Sequence, residues 1–158
     1  MCQKKHSYTV DQALTSLAGT SRRLQRLSKR IGSKQASARP APDKWSAKEI
    51  ICHLADCELV YGVRYRRIVA EPKPSLLPFD QDAWADNLQY RRQPLKGSLA
   101  TFLALRGGHL AMLKALPKSA WNKKGQHPSY GALSLKQIVV HLADHDRNHV
   151  AQVERLVT

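Results

Sequence analysis

Apolar side chains recur along this chain at the three- and four-residue steps of helices, with no convincing strand alternation between them. The first stripe is Val10, Leu14, Leu17, Leu24, Leu27 and Ile31. Gly32-Ser33 stops it, and the Pro-rich stretch 39–43 reads as a stiff connector. The second stripe runs Ile50, His53, Leu54, Cys57, Tyr61, Arg64 and Ile68, and the prolines Pro72 and Pro74 end it. A third, with Leu99, Phe102, Leu103, Leu110 and Leu113 inward, is weakened by Gly107-Gly108 and closed by Pro117. The fourth carries Ile138, Leu142, His145, His149, Val153 and Leu156. The spacing predicts helices over about 7–31, 46–70, 97–116 and 134–156, without significant sheet. Residues 75–94 and 121–132 read as long loops, the first with room for a short helix over 81–88.

Two helix starts read almost in parallel. Ser46 with Glu49 and Ser134 with Gln137 each make a capping box, and Trp45/Ile50 and Leu133/Ile138 can staple them. Seven residues past each cap stands the phrase His-Leu-Ala-Asp, at His53 and again at His141. Capping chemistry alone does not require that repeat. It reads as pseudo-symmetry in an all-α, up-down four-helix bundle forming a single domain over 1–158, with any ligand site in the core between facing helices.

Composition narrows the class. A chain of 158 residues can bury a core without disulfide or metal staples. No apolar run reaches the length of about 20 residues that spans a bilayer, and Met1–Tyr8 has no apolar signal segment, so a cytoplasmic location and no membrane partner are expected. Cys2, Cys52 and Cys57 make no paired framework. The net charge of +14 is large, with seven cations and no acid over residues 22–39. No aromatic-interleaved patch or base-reading motif accompanies it, so specific nucleic-acid binding is not expected and the charge reads as a solvated surface.

The histidines carry the chemistry. His145 and His149 stand four apart, one turn above each other on the apolar face, and His53 lies on the core stripe of another helix. Such a group suits a divalent metal, and the alternative is a set of hydrogen-bonded core histidines. Position 146 is Asp, not the Glu of H-E-x-x-H peptidases, and no nucleophile elbow, P-loop or dinucleotide fingerprint occurs. Asp56, His141, Asp146 and His127 are candidates for supporting the ligands or lining the pocket. Cys57, a turn past His53, could offer a thiolate, but a soft fourth ligand would close the open position a catalytic metal keeps.

From Arg39 onward the chain resembles the DinB family, in its metal-dependent hydrolase group. The resemblance rests on residues 39–49, His53-Leu-Ala-Asp-Cys-Glu58, Phe79-Asp-Gln-Asp-Ala-Trp84, Leu105-Arg106, His127-Pro-Ser-Tyr-Gly131 and the run His145 to Glu154. It implies a four-helix bundle and a divalent metal, zinc or nickel, held by His53, His145 and His149. It implies also an enzyme of hydrolase or low-molecular-weight-thiol transferase type, an unidentified small-molecule substrate and a homodimer. Leu88, Tyr90 and Val60 are the apolar residues expected to supply the dimer face. The competing readings are a non-catalytic metal- or ligand-binding bundle and a basic nucleic-acid-associated protein.

Overall fold

The computed structural model describes residues 8–157. Cys2 and the first seven residues, where the first helix was expected to begin, lie outside them. The described chain contains α1 (Val10–Arg30), α2 (Ser33–Ser37), α3 (Ala47–Ala70), α4 (Gln81–Asn87), α5 (Leu95–Ala115), β1 (Lys124–His127), β2 (Gly131–Ser134) and α6 (Leu135–Val157). The four long helices match the four apolar stripes. Each expected capping box is formed: the Ser46 hydroxyl accepts from Glu49 N, and Ser134 Oγ accepts from Gln137 N at 3.1 Å. A third, unforeseen box of Thr9 and Gln12 opens α1.

The four long helices form a bundle in which α3 and α5, consecutive along the chain, are also neighbours in space, whereas α1 and α3 are not. α1 packs on α6 and α5, and α3 packs on those same two, leaving α1 and α3 on a diagonal. Side-chain pairs give the directions. Cys52 meets Ser98 and Glu58 meets Arg106, so α3 and α5 run parallel. Arg147 reaches Tyr8 and Arg23 reaches Glu154, so α1 and α6 also run parallel. The helices therefore run up, down, down, up. A 24-residue helix is about 36 Å long, so two consecutive parallel helices need a connection that returns the full length. Residues 71–94, with α4 and a 3₁₀ turn at Tyr90–Arg92, make that return.

The connection after α5 differs from expectation. Residues 121–132 were read as loop, but residues 124–134 form an antiparallel hairpin pairing Lys124 with Ser134 and His127 with Gly131. Ser75 bridges to Gln126 alongside it, tying the crossover to the hairpin. Strands of four residues are too short for a period-two signal, and only the turn was marked, by Gly131 at φ +69°.

The core divides along the bundle. One half gathers Leu14, Leu17, Tyr65, Ile68, Leu113, Ile138 and Leu142; the other gathers Leu24, Ile50, Ile51, Leu54, Phe102, Val150 and Val153. The layer between them is polar. α5 buries Ser98, Phe102, Arg106, His109 and Leu113, so its inward stripe is turned from the one expected, and Leu99, Leu103 and Leu110 are only half-buried. The reason is electrostatic. Glu58 and Asp146 are buried from two other helices, and the turn of α5 brings Arg106 Nη2 within 2.7 Å of both carboxylates. His109 Nδ1 completes the group, 2.9 Å from Glu58 Oε2. Gly62 leaves room for that ring, since a Cβ there would stand 2.3 Å from His109 Nε2.

Candidate metal centre

Directly beside this buried charge layer, α3 and α6 face each other with their histidines. The two helices are antiparallel, so His53 in the first half of α3 lies opposite the second half of α6. His53 Nε2 is 3.0 Å from His145 Nε2. Cys57 Sγ lies 3.4 Å from His53 Nε2 and 4.0 Å from His145 Nε2. The donor atoms of His53, Cys57 and His145 all lie within 4.8 Å of one another. Cys57 is thus inside the cluster, although an open catalytic position argued for leaving it out.

The His149 ring packs against both other imidazoles, with centroids 4.9 Å from His53 and 4.4 Å from His145. Its Nδ1 lies 2.8 Å from Gln152 Oε1, a partner that accepts, so Nδ1 carries the proton and Nε2 keeps its lone pair. Asp146 Oδ1 stands 3.5 Å from His145 Nδ1 and links that ring to Arg106 through its other oxygen. Trp45 and Phe79 wall the cluster, with ring centroids 5.0 Å and 6.3 Å from His53.

Burial, reinforced by the neighbouring imidazoles, pushes His53 down to about 3 and His149 to about 4. Both rings are neutral at pH 7 and free to donate electron pairs. Burial pushes the Cys57 thiol well above its usual value, with Asp146 and Glu58 adding to the effect. These residues suit a divalent cation. Two nitrogens bound to one tetrahedral zinc at about 2.0–2.1 Å would stand about 3.3 Å apart, close to the His53–His145 separation. A cation would also favour the thiolate of Cys57, which the apolar surroundings disfavour.

The other candidates take separate places. Asp56 accepts a hydrogen bond from Tyr90 Oη, and none of its hydrogen bonds reaches an imidazole. His141 stacks on Tyr61 at 6.4 Å and lines a cavity of about 810 Å³. His127, on the hairpin, lines the same cavity. A second cavity, of about 610 Å³, opens onto His149 between Trp45 and Gln152. Tyr90, expected on a dimer face, is fully buried. Sequence reasoning did not foresee the linkage through Arg106, His109 and Glu58. The signal lay in an Arg and a His that keep helical phase with Phe102 and Leu113.

Comparison with known proteins places this geometry in a family. Residues 16–153 match the model of the DinB superfamily, and the chain belongs to that superfamily. It is 27% identical over 112 residues to a "Putative metal-dependent hydrolase" of Oceanobacillus iheyensis, and 25% identical over 113 residues to YfiT of Bacillus subtilis, which bears the same description. Each alignment covers 71% of this chain and 64% of the relative, so the chain spans less than two thirds of the length of either. A similarly named protein of Bacillus mycoides is 22% identical over 147 residues, covering 93% of this chain and 84% of its own. The solved structure of YfiT, described as having an unusual four-helix bundle topology, superposes with a TM-score of 0.87 at 21% identity, over 98% of this chain and 91% of that one. That likeness establishes the fold. Among the described residues no helix is long and apolar enough to cross a membrane.

Proposed function

We propose that the protein is a metal-dependent enzyme whose divalent ion, zinc or nickel, is held by His53, His145 and His149, with hydrolysis of a small molecule as its reaction. The observation that carries this reading is the close packing of the buried His53 ring of α3 against the half-buried His145 and His149 rings of α6, beside a cavity that reaches His149. Bound there, the ion would supply a Lewis acid able to polarise a carbonyl and to acidify water or a thiol. The chain's own residues prepare the place. Gln152 orients His149 through Nδ1, and Asp146, itself fixed by Arg106, backs His145. Trp45 and Phe79 pack against the His53 ring and hold it in place. Transfer to a low-molecular-weight thiol is the alternative reaction, favoured by the same open position, and parallel assays with ester and thiol substrates separate the two.

Elemental analysis of untagged protein tests the ligand set. Wild type should carry about one divalent ion per chain. Replacing His53, His145 or His149 with Ala should abolish it, while His141→Ala should leave it largely intact. Full metal content in all three variants would overturn the assignment. Loss in Cys57→Ala with retention in His149→Ala would replace it by a His53–Cys57–His145 set. Cobalt-substituted protein reports this independently, through a sulfur-to-metal absorption band that Cys57→Ser removes. Homodimer formation belongs to the same proposal. Leu59 and Val63 are exposed one turn apart on α3, and Leu88 is half exposed. Sedimentation showing only monomer across concentrations would refute it.

A further inference from the structure

Among the described residues two arginines are buried, and one of them is paired with carboxylates. Arg106 lies between Glu58 and Asp146. Arg64, on α3, is 9% exposed and, among the described residues, has no carboxylate within ion-pair distance. Among the described residues its one hydrogen bond runs from Nη2 to the Leu77 carbonyl at 2.6 Å, its guanidinium lies 5.0 Å from the Tyr61 ring centroid, and its Nε is buried without a hydrogen-bond partner. Taking a cation out of water is costly unless a counter-charge meets it.

The space beside Arg64 is the cavity of about 810 Å³ between α3, α6 and the hairpin, a size in the range of small-molecule sites. Its walls are chemically divided. Leu76, Leu133, Ile138 and Val140 give apolar surface, while Lys136 and Arg64 give positive charge. The one acid on the wall, Asp144, is paired with Arg147 at 3.1 Å. Tyr61 and His141, stacked on each other, also line the cavity. They are one helical turn from Cys57 and His145, about 5 Å along the axes, so the cavity approaches the histidine cluster.

We infer that this cavity binds an organic anion, a carboxylate or phosphate on an apolar body, with Arg64 as its counter-charge and the opposite end directed toward the histidine cluster. Anion binding stands on Arg64 and the cavity walls; that the bound molecule is the substrate rests on the metal-enzyme reading above. Lys136 at the wall strengthens the field, and Tyr130, 75% exposed at the hairpin turn, adds an aromatic side chain to the lining.

Calorimetric titration of chelator-treated protein tests binding apart from the metal, with sodium octanoate, octyl phosphate, 1-octanol and octylamine as probes. Octanoate or octyl phosphate should bind at least tenfold more tightly than octanol, and octylamine more weakly still. The preferred anion identifies the head group. Arg64→Met should lose at least tenfold of the anion affinity and leave octanol binding unchanged, and Lys136→Ala should lose two- to threefold. Equal binding of octanoate to wild type and Arg64→Met overturns the inference, as does octanol binding as well as octanoate. Loss in His145→Ala but not in Arg64→Met would place the anion on the histidines and overturn it too. If Arg64→Met does not fold, NMR of the wild type decides. Octanoate must shift the signals of Tyr61, His127 and His141, and shifts confined elsewhere refute the site. Metal content of Arg64→Met, measured in parallel, should equal wild type, so a failure of the metal reading appears separately.

Discussion

Replacing Arg106 with Met removes a 2%-exposed guanidinium from between two carboxylates that are themselves fully buried. Wild-type Arg106 gives each carboxylate a 2.7 Å bond and donates a third from Nη1 to the Leu17 carbonyl at 3.0 Å. Methionine fills most of the volume but returns none of the charge. Breaking a buried ion pair from one side costs about 3–5 kcal/mol, because the partner remains buried and uncompensated. For a chain of this size each kcal/mol lowers the melting temperature by about 2–4 °C, so a loss of about 6–20 °C is expected. Urea and thermal unfolding of the metal-free protein at pH 7 measure it. The decisive comparison adds Glu58→Gln and Asp146→Asn to Arg106→Met. If uncompensated charge is the cause, the triple variant regains at least half of the lost stability. A single variant within about 1 kcal/mol of wild type, or a triple variant less stable than the single, would refute the account.

Three further outcomes concern other parts of the fold. Burial pushes the Glu49 carboxyl up, but Arg39, 2.5 Å away, and Ser46 outweigh it and hold the group at about 2, below its ordinary 4.5. Its contribution is fully present above pH 4.5 and fades as pH falls toward 2, an upper bound of about 3 kcal/mol at 1.36 kcal/mol per unit. The stability gap between wild type and Glu49→Gln in urea should therefore be wider at pH 6 than at pH 3, and a constant gap would contradict it. Gly62→Ala should cost about 1–3 kcal/mol, because the new methyl meets a His109 ring pinned by Glu58. Gly107→Ala or Gly108→Ala, with nothing within 4 Å of the added Cβ, should gain up to about 1 kcal/mol in the same assay.

Local chemistry determined much of this protein. Hydrogen-bonding caps and apolar period act within a few residues, so Ser46, Ser134 and the four stripes revealed the long helices before any tertiary contact was known. The four-residue step from His145 to His149 placed those rings together for the same reason. The return crossover was visible only as a long loop, because helix direction is set by packing partners far away in sequence. Cys57 joined His53 and His145 only once α3 lay antiparallel on α6, a register no single helix contains. The roles of Arg106 and Arg64 were likewise undetermined by their own segments. Both sit on core-facing stripes, but Arg106 meets two carboxylates and Arg64 meets a cavity, and a buried charge takes its meaning from the counter-charge that folding brings to it.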